Sequence, residues 1–363
     1  MYSENPRSYG TLRAARDLFS KNPGSRKQLI DCLLGIEADL QKGSDHNIRE
    51  ELVGPLVDLI FEDNELLQKR VRGGLTFNFR YSSKIARDFV LATEAEPDHV
   101  WEPQTTKSVI ALSKGRKQVL IGGAYIGDHA LYAAKQLASD GTVHCFELSD
   151  SSVDLLKANL RENNISNAVV NQQALWSEDG KWIELTGEDS HASPQEAATK
   201  DKAFPSRSVD GYLAEKGVTE LDLLMLDIEG GEYKALQGAA KILASEKTRA
   251  PAVICEIHRH YVDWSNGMRN TPLCGLLIDN GYEVFAIRDY QGNENVQPPH
   301  VELVDIDSAV VSGPPHGFNL LAVKDRSRLD PSVFRIVHNV SPKLLKHRDP
   351  KIHAPLAVGH EKP

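Results

Sequence analysis

The chain is short of cysteine, of basic charge and of long apolar runs, and each shortage narrows what it can be. Its 363 residues include four cysteines, Cys32, Cys145, Cys255 and Cys274, none in a Cys-x-x-Cys spacing. They read as reduced core residues in apolar segments, and the lack of a cysteine pair removes one route to covalent catalysis. Lys and Arg total 42 against 51 Asp and Glu, a net charge of −9, which disfavours adhesion to nucleic acid or anionic lipid. No stretch approaches the roughly 18 apolar residues of a membrane helix. The polar opening MYSENPRSYG lacks the apolar centre of a secretory signal. The expectation is a cytoplasmic protein with neither a membrane nor a nucleic-acid partner.

What is present is the composition of a folded protein, 40% apolar and 26% charged, long enough for about two domains. The first hundred residues read as helices: one carries Leu29, Ile30, Leu33 and Leu34 on a face and stops near Lys42-Gly43. A second spans Glu51 to Phe61 with Pro55 inside it, and a third surrounds Ile85, Phe89 and Val90. The acidic stretch Glu94-Ala95-Glu96-Pro97 marks a boundary, giving a helical domain over 1–97.

From Lys117 onward short apolar runs alternate with helical patterns, the form of βαβ units around a parallel sheet. Strands are expected at Gln118–Gly122, Thr142–Glu147, Ala168–Ala174, Leu221–Asp227, Ala252–His258, Tyr282–Ile287 and Phe318–Val323. Helices are expected at Asp128–Leu137, Ser152–Asn163, Val209–Lys216, Glu232–Leu243 and Leu273–Asn280. The aperiodic segment Gly187–Lys202 is a candidate cover for a cleft. Residues 98–325 form the second domain, and 326–363 an extension, with a core-like pattern only at Val333–Val337.

The first chemical signal is Ile121-Gly122-Gly123-Ala124-Tyr125-Ile126-Gly127, a glycine loop after a strand and before a helix, where backbone can approach a nucleotide. Glu147 ends the next strand, placed to accept the hydroxyl hydrogens of a ribose. This spacing suits NAD and S-adenosylmethionine equally. The third signal separates them: Asp227-Ile228-Glu229-Gly230-Gly231-Glu232 closes the fourth strand of the α/β region with acids that a dehydrogenase has no evident use for.

On these residues the chain resembles the FkbM-type S-adenosylmethionine-dependent methyltransferases, whose hallmark is an apolar strand ending in Asp-x-Glu-Gly-x-Glu. Further pieces follow in family order from Trp101 to Lys324: Trp101-Glu102-Pro103, Ala174-Leu175, Val209-Asp210, Glu256-Ile257-His258 and Asn319-Leu320-Leu321-Ala322-Val323. The chain departs from the family at Ile121 and Tyr125, where Asp and Asn are usual. The resemblance implies a class I methyltransferase, a Rossmann-like seven-stranded sheet with its last strand antiparallel, preceded here by the helical domain.

It also implies S-adenosylmethionine held by Gly123, Ala124, Tyr125, Gly127, Glu147, Leu148, Ala174, Leu175 and Asp227. Glu102 or Asp227 would face its amino group. Methyl transfer to oxygen needs a base, and His258 is the candidate, with Asp227 and Glu256 beside it. Asp227, Glu229 and Glu256 either gather around Mg²⁺ or cap the helix after Gly230-Gly231 and serve the cofactor with no metal. The implied acceptor is a small hydroxylated molecule: a sugar, a glycoside or a polyketide-derived alcohol. Competing readings are a protein that binds S-adenosylmethionine without transferring its methyl, and an NAD-linked oxidoreductase. A homodimer through the N-terminal helices or the proline-marked tail is the expected assembly.

Overall fold

A computed structural model describes residues 6–344 apart from 43, 45, 84, 93, 187–192, 291–299 and 313–315. Helices α1 (Pro6–Lys21) and α2 (Pro23–Leu40) open it, and a π-helical turn at Arg49–Val53 runs into α3 (Gly54–Asp58). Pro55 lies in the first turn of α3, where its missing amide costs no helical hydrogen bond. An antiparallel hairpin follows, β1 (Leu66–Arg70) and β2 (Thr76–Arg80), then α4 (Ala86–Val90). The hairpin corrects the all-helical expectation. Phe77 and Phe79 are buried with a half-exposed Asn78 between them, a period of two that belongs to a strand.

The α/β region runs α5 (Pro103–Ser113), β3 (Gln118–Gly122), α6 (Ala130–Gln136), β4 (Thr142–Phe146), α7 (Asp150–Glu162) and β5 (Ala168–Asn171). A small sheet follows from β6 (Ala174–Leu175), β7 (Trp182–Thr186), β8 (Ser193–Glu196) and β9 (Phe204–Arg207). Then come α8 (Val209–Lys216), β10 (Leu223–Leu226), α9 (Glu232–Gln237), α10 (Ala240–Leu243), β11 (Ala252–His258) and α11 (Pro272–Asp279). β12 (Glu283–Ile287), β13 (Val301–Asp305), β14 (Gly317–Val323) and β15 (Phe334–Val337) complete the chain.

The main sheet has nine strands, ordered β15-β13-β12-β14-β11-β10-β3-β4-β5. Seven are the expected strands, and β14 is antiparallel to both its neighbours as expected. The expected count of seven is corrected by β13, which pairs antiparallel with β12, and by β15, which pairs parallel with β13 and draws the tail into the sheet. Two expected elements divide. The run Ala168–Ala174 breaks because Ala174 and Leu175 leave to pair with β9. The run Glu232–Leu243 breaks at Gly238, after which the Asp210 carboxylate caps the amides of Lys241 and Ile242 at 2.7 and 3.0 Å.

Side chains alternate along each strand and divide the core in two. Val119, Ile121, Cys145, Met225, Ile254 and Leu321 face a cluster that includes residues of α5, α6 and α7 and extends to Phe61, Phe77 and Phe89 of the N-terminal segment. Leu120, Phe146, Leu226, Cys255 and Leu320 face the cluster of α8, α9, α10 and α11. Cys145, Cys255 and Cys274 are buried as expected, whereas Cys32 is exposed. It lies on the outer side of α2, whose buried residues are Arg26, Ile30, Leu33 and Glu37.

Candidate functional site

The strand order reverses direction between β3 and β10, and open α/β sheets take ligands outside the carboxyl ends of the strands at such a point. There the chain turns through Gly123 at φ 75°, a conformation that side chains resist. A Cβ on Gly123 would lie 1.7 Å from the Asp227 carbonyl oxygen, so the loop meets the end of β10 backbone to backbone. The amides of Gly123 and Ala124 both donate to the Phe146 carbonyl at 2.9 Å. Gly127, at φ 94°, packs where a Cβ would stand 2.2 Å from Leu131 Cδ1. Tyr125 adopts φ 44° without being glycine; its amide is held by Glu147.

Glu147 is the hub of this loop. Its Oε2 accepts from the Tyr125 amide at 2.8 Å, and its Oε1 accepts from the amides of Leu148 at 2.8 Å and Ser149 at 2.9 Å. Burial pushes its pKa up against these three bonds. A carboxylate offers about four acceptor positions, so about one remains, on Oε2. The expected ribose would thus meet a carboxylate that already carries three backbone amides.

The hallmark segment is a strained turn. Its first residue, Asp227, donates its amide to the Gly122 carbonyl at 3.0 Å, and the chain then passes through Glu229 at φ 51° and Gly230 at φ 101°. The turn is held from inside by Glu232, whose carboxylate accepts from the amides of Ile228 at 2.7 Å and Gly230 at 3.0 Å. Burial raises the Glu232 pKa to about 8, with the charge of Asp227 adding to it. Tyr261 supports the turn from outside: a Cβ on Gly230 would meet its ring at 2.9 Å, and its hydroxyl donates to Glu229 Oε2 at 3.4 Å. Burial and the Glu229 charge push this phenol up to about 12.

Asp227, Glu229 and Glu256 come together as half-buried carboxylates, one oxygen of each within 4.8 Å of the others. Glu256 and His258 share the β11 face of Ile254, and Asn319 of β14 lies opposite Glu256. His258 Nδ1 accepts from the His260 amide at 3.0 Å, so the neutral ring carries its proton on Nε2. The rings of His258, His260 and Tyr261 pack against one another, with centroids 5.0 to 6.4 Å apart.

One cavity joins the glycine loop, Glu147 and the start of the hallmark turn, while the expected catalytic residues His258 and Glu256 are not among those that line it. Of the residues expected to hold a cofactor, Gly123, Tyr125, Glu147, Leu148, Ala174, Leu175 and Asp227 line it. Ala124 and Gly127 shape the loop beneath. Glu102 stands at the start of α5, where Asn319 Nδ2 donates to its Oε2 at 2.7 Å. Lining residues that sequence reasoning missed include Trp101, Asp128, Gln173, Leu185 and Pro194. Pro194 falls in the aperiodic segment singled out as a cleft cover; residues 187–192 of that segment lie outside the described residues. Leu185 has no local signal, because only the pairing of β7 with β8 and β9 brings it to the cavity.

Comparison with known proteins gives a domain match. Residues 122–291 match the methyltransferase FkbM domain. No curated protein matches the chain. Among solved structures, a putative O-methyltransferase from Klebsiella pneumoniae aligns at 13% identity over 61% of this chain and 79% of its own, with TM-score 0.35. An O-methyltransferase from Bacillus cereus, solved with SAH, aligns at 13% identity over 61% and 80%, with TM-score 0.34. The O-methyltransferase TomG from Streptomyces achromogenes aligns at 12% identity over the same shares, with TM-score 0.34.

Proposed function

From the premise that residues 122–291 are a methyltransferase FkbM domain, we propose that the chain methylates a hydroxyl group of a small hydroxylated molecule such as a sugar, a glycoside or a polyketide-derived alcohol. The observation that carries this reading is the continuity of one cavity from Glu147 past the glycine loop to Asp227 and Glu229. A nucleoside seated at Glu147 would point its other end toward the acids.

The lining suits S-adenosylmethionine. Glu147 keeps an acceptor position for a ribose hydroxyl, Leu148 and Leu175 offer apolar surface to a purine, and Gly123 contributes bare backbone to the wall. When bound, that cofactor supplies a methyl group on a positively charged sulfur. The chain's part is to align the acceptor with it and to keep water out.

Removal of the acceptor proton is assigned to Asp227. Among the described residues its carboxylate has no hydrogen-bond partner, whereas the Nδ1 lone pair of His258 is occupied by the His260 amide. Proton uptake at His258 would first cost that bond, about 1 kcal/mol. Asp227, Glu229 and Glu256 form a donor set of hard oxygens that fits Mg²⁺. Such an ion would lower the proton affinity of a bound hydroxyl.

The test follows S-adenosylhomocysteine release with a panel of polyhydroxylated acceptors, with and without a chelator, in wild type and Asp227→Asn. Turnover lost in the variant with S-adenosylhomocysteine affinity kept supports the reading. Thermal stabilisation by NADH and none by S-adenosylhomocysteine would overturn it.

A further inference from the structure

Helix α5 begins in an unusual way. Its N-cap residue, Glu102, sits at φ 46° and makes no capping bond with its own side chain, and Pro103 follows in the first turn. The first amides of a helix must nonetheless be satisfied. They are satisfied by a residue far along the chain. Asp289 Oδ1 accepts from the Gln104 amide at 2.9 Å, and Oδ2 accepts from the Thr105 amide at 2.7 Å.

Asp289 is itself fixed by the C-terminal extension. Its amide donates to the Pro342 carbonyl at 2.9 Å, and its carbonyl accepts from the Leu344 amide at 2.7 Å. Next to it, Arg288 Nε donates to the Ser341 carbonyl at 2.9 Å. Asp289 is 9% exposed, and its burial beside a helix start serves no step of the proposed chemistry directly.

The consequence falls on Glu102. Relieved of capping α5, its carboxylate turns instead to Asn319, in the β14 position opposite Glu256. Trp101, one residue earlier, lines the cavity, and its carbonyl is held by Thr106 Oγ1 at 3.0 Å. Asp289 therefore sets where α5 starts, and with it the placement of Trp101 in the cavity wall and of Glu102 behind it.

We propose that Asp289, anchored by residues 341–344, is a positioning residue for the cofactor site: it caps α5 in place of Glu102 and so holds Trp101 in the wall of the cavity, with Glu102 behind it on Asn319, at the end that receives the methionine part of S-adenosylmethionine. The proposal rests on the reading of the cavity as the cofactor site, and it makes the extension outside residues 122–291 part of that site's construction.

Calorimetry with S-adenosylhomocysteine on the full chain tests both statements separately. Wild type that fails to bind overturns the cofactor reading itself. With wild type binding, Asp289→Asn should weaken affinity about tenfold and Asp289→Ala more, the range of a lost charge-assisted bond. In a Glu102→Gln background the same change should cost less than about twofold, because residues acting through one another are not additive. Unchanged affinity in Asp289→Asn, with only a lower melting temperature, overturns the proposal. So do losses at 102 and 289 that multiply in full. Asp289→Asn preserves side-chain shape and carries the test where Asp289→Ala fails to fold.

Discussion

Gly123 and Asp227 touch through their backbones: a Cβ on the glycine would fall 1.7 Å from the aspartate's carbonyl oxygen. The glycine loop and the hallmark turn are therefore one structural unit. Gly123→Ala must push them apart and pay strain at φ 75°, a cost of about 1–3 kcal/mol for the backbone alone. Calorimetry should show no S-adenosylhomocysteine binding, and the melting temperature should fall. A variant that binds normally would mean the two loops separate freely.

Glu147 links the loop to the expected ribose through its last acceptor position. Glu147→Gln places an amide donor among three backbone donors, so it should disorder the loop as well as weaken the ligand, costing about 1–3 kcal/mol of affinity. Because burial raises the carboxyl's pKa, wild-type affinity should fall on acidification earlier than an exposed glutamate would allow. A dissociation constant that is flat as pH is lowered through the carboxylate range would exclude Glu147 from the ligand.

Glu232 makes a prediction about stability and pH. Its pKa rises from 4.5 unfolded to about 8 folded, so between these values the folded state holds the extra proton. Stability from this group is full below about 4.5 and lost as pH rises through about 8. Glu232→Gln removes that dependence. The melting temperature of wild type relative to the variant should decline from acid to mildly alkaline pH; a constant difference would show that Glu232 does not titrate in this window.

Thiol labelling tests the packing. Cys32 is exposed, and the other three cysteines are buried, with burial pushing the Cys145 and Cys274 thiols up to about 12 and 11. One thiol per chain should react with a disulfide reagent under native conditions and four in denaturant. Two or more fast thiols would indicate a looser core.

His258→Ala separates two views of the base. With its Nδ1 committed to the His260 amide, loss of the imidazole should lower turnover less than Asp227→Asn does. A loss of about 10²–10⁴-fold at His258, the range for a removed general base, would return the role to the histidine.

The strand periods, the glycine loop, Glu147 and the Asp227–Glu232 hallmark were all legible in the sequence, because each depends on residues within one strand and the turn that follows it. Short apolar runs in the α/β region placed seven of the nine strands of the main sheet, and glycine at 123 and 127 announced backbone at positive φ that glycine adopts without strain. The same local rule misled at Cys32, where an apolar neighbourhood in sequence is an exposed face of a helix, and it passed over the hairpin at Phe77 and Phe79. What tertiary structure alone decided involves partners distant in sequence. Leu185 and Pro194 reach the cavity through a sheet formed by β6, β7, β8 and β9, and β13 brings β15 into the main sheet. Asp289 caps a helix that begins 186 residues earlier, at Pro103, because a buried amide must find an acceptor wherever the fold supplies one, and no pattern within a single stretch of sequence encodes which acceptor that will be.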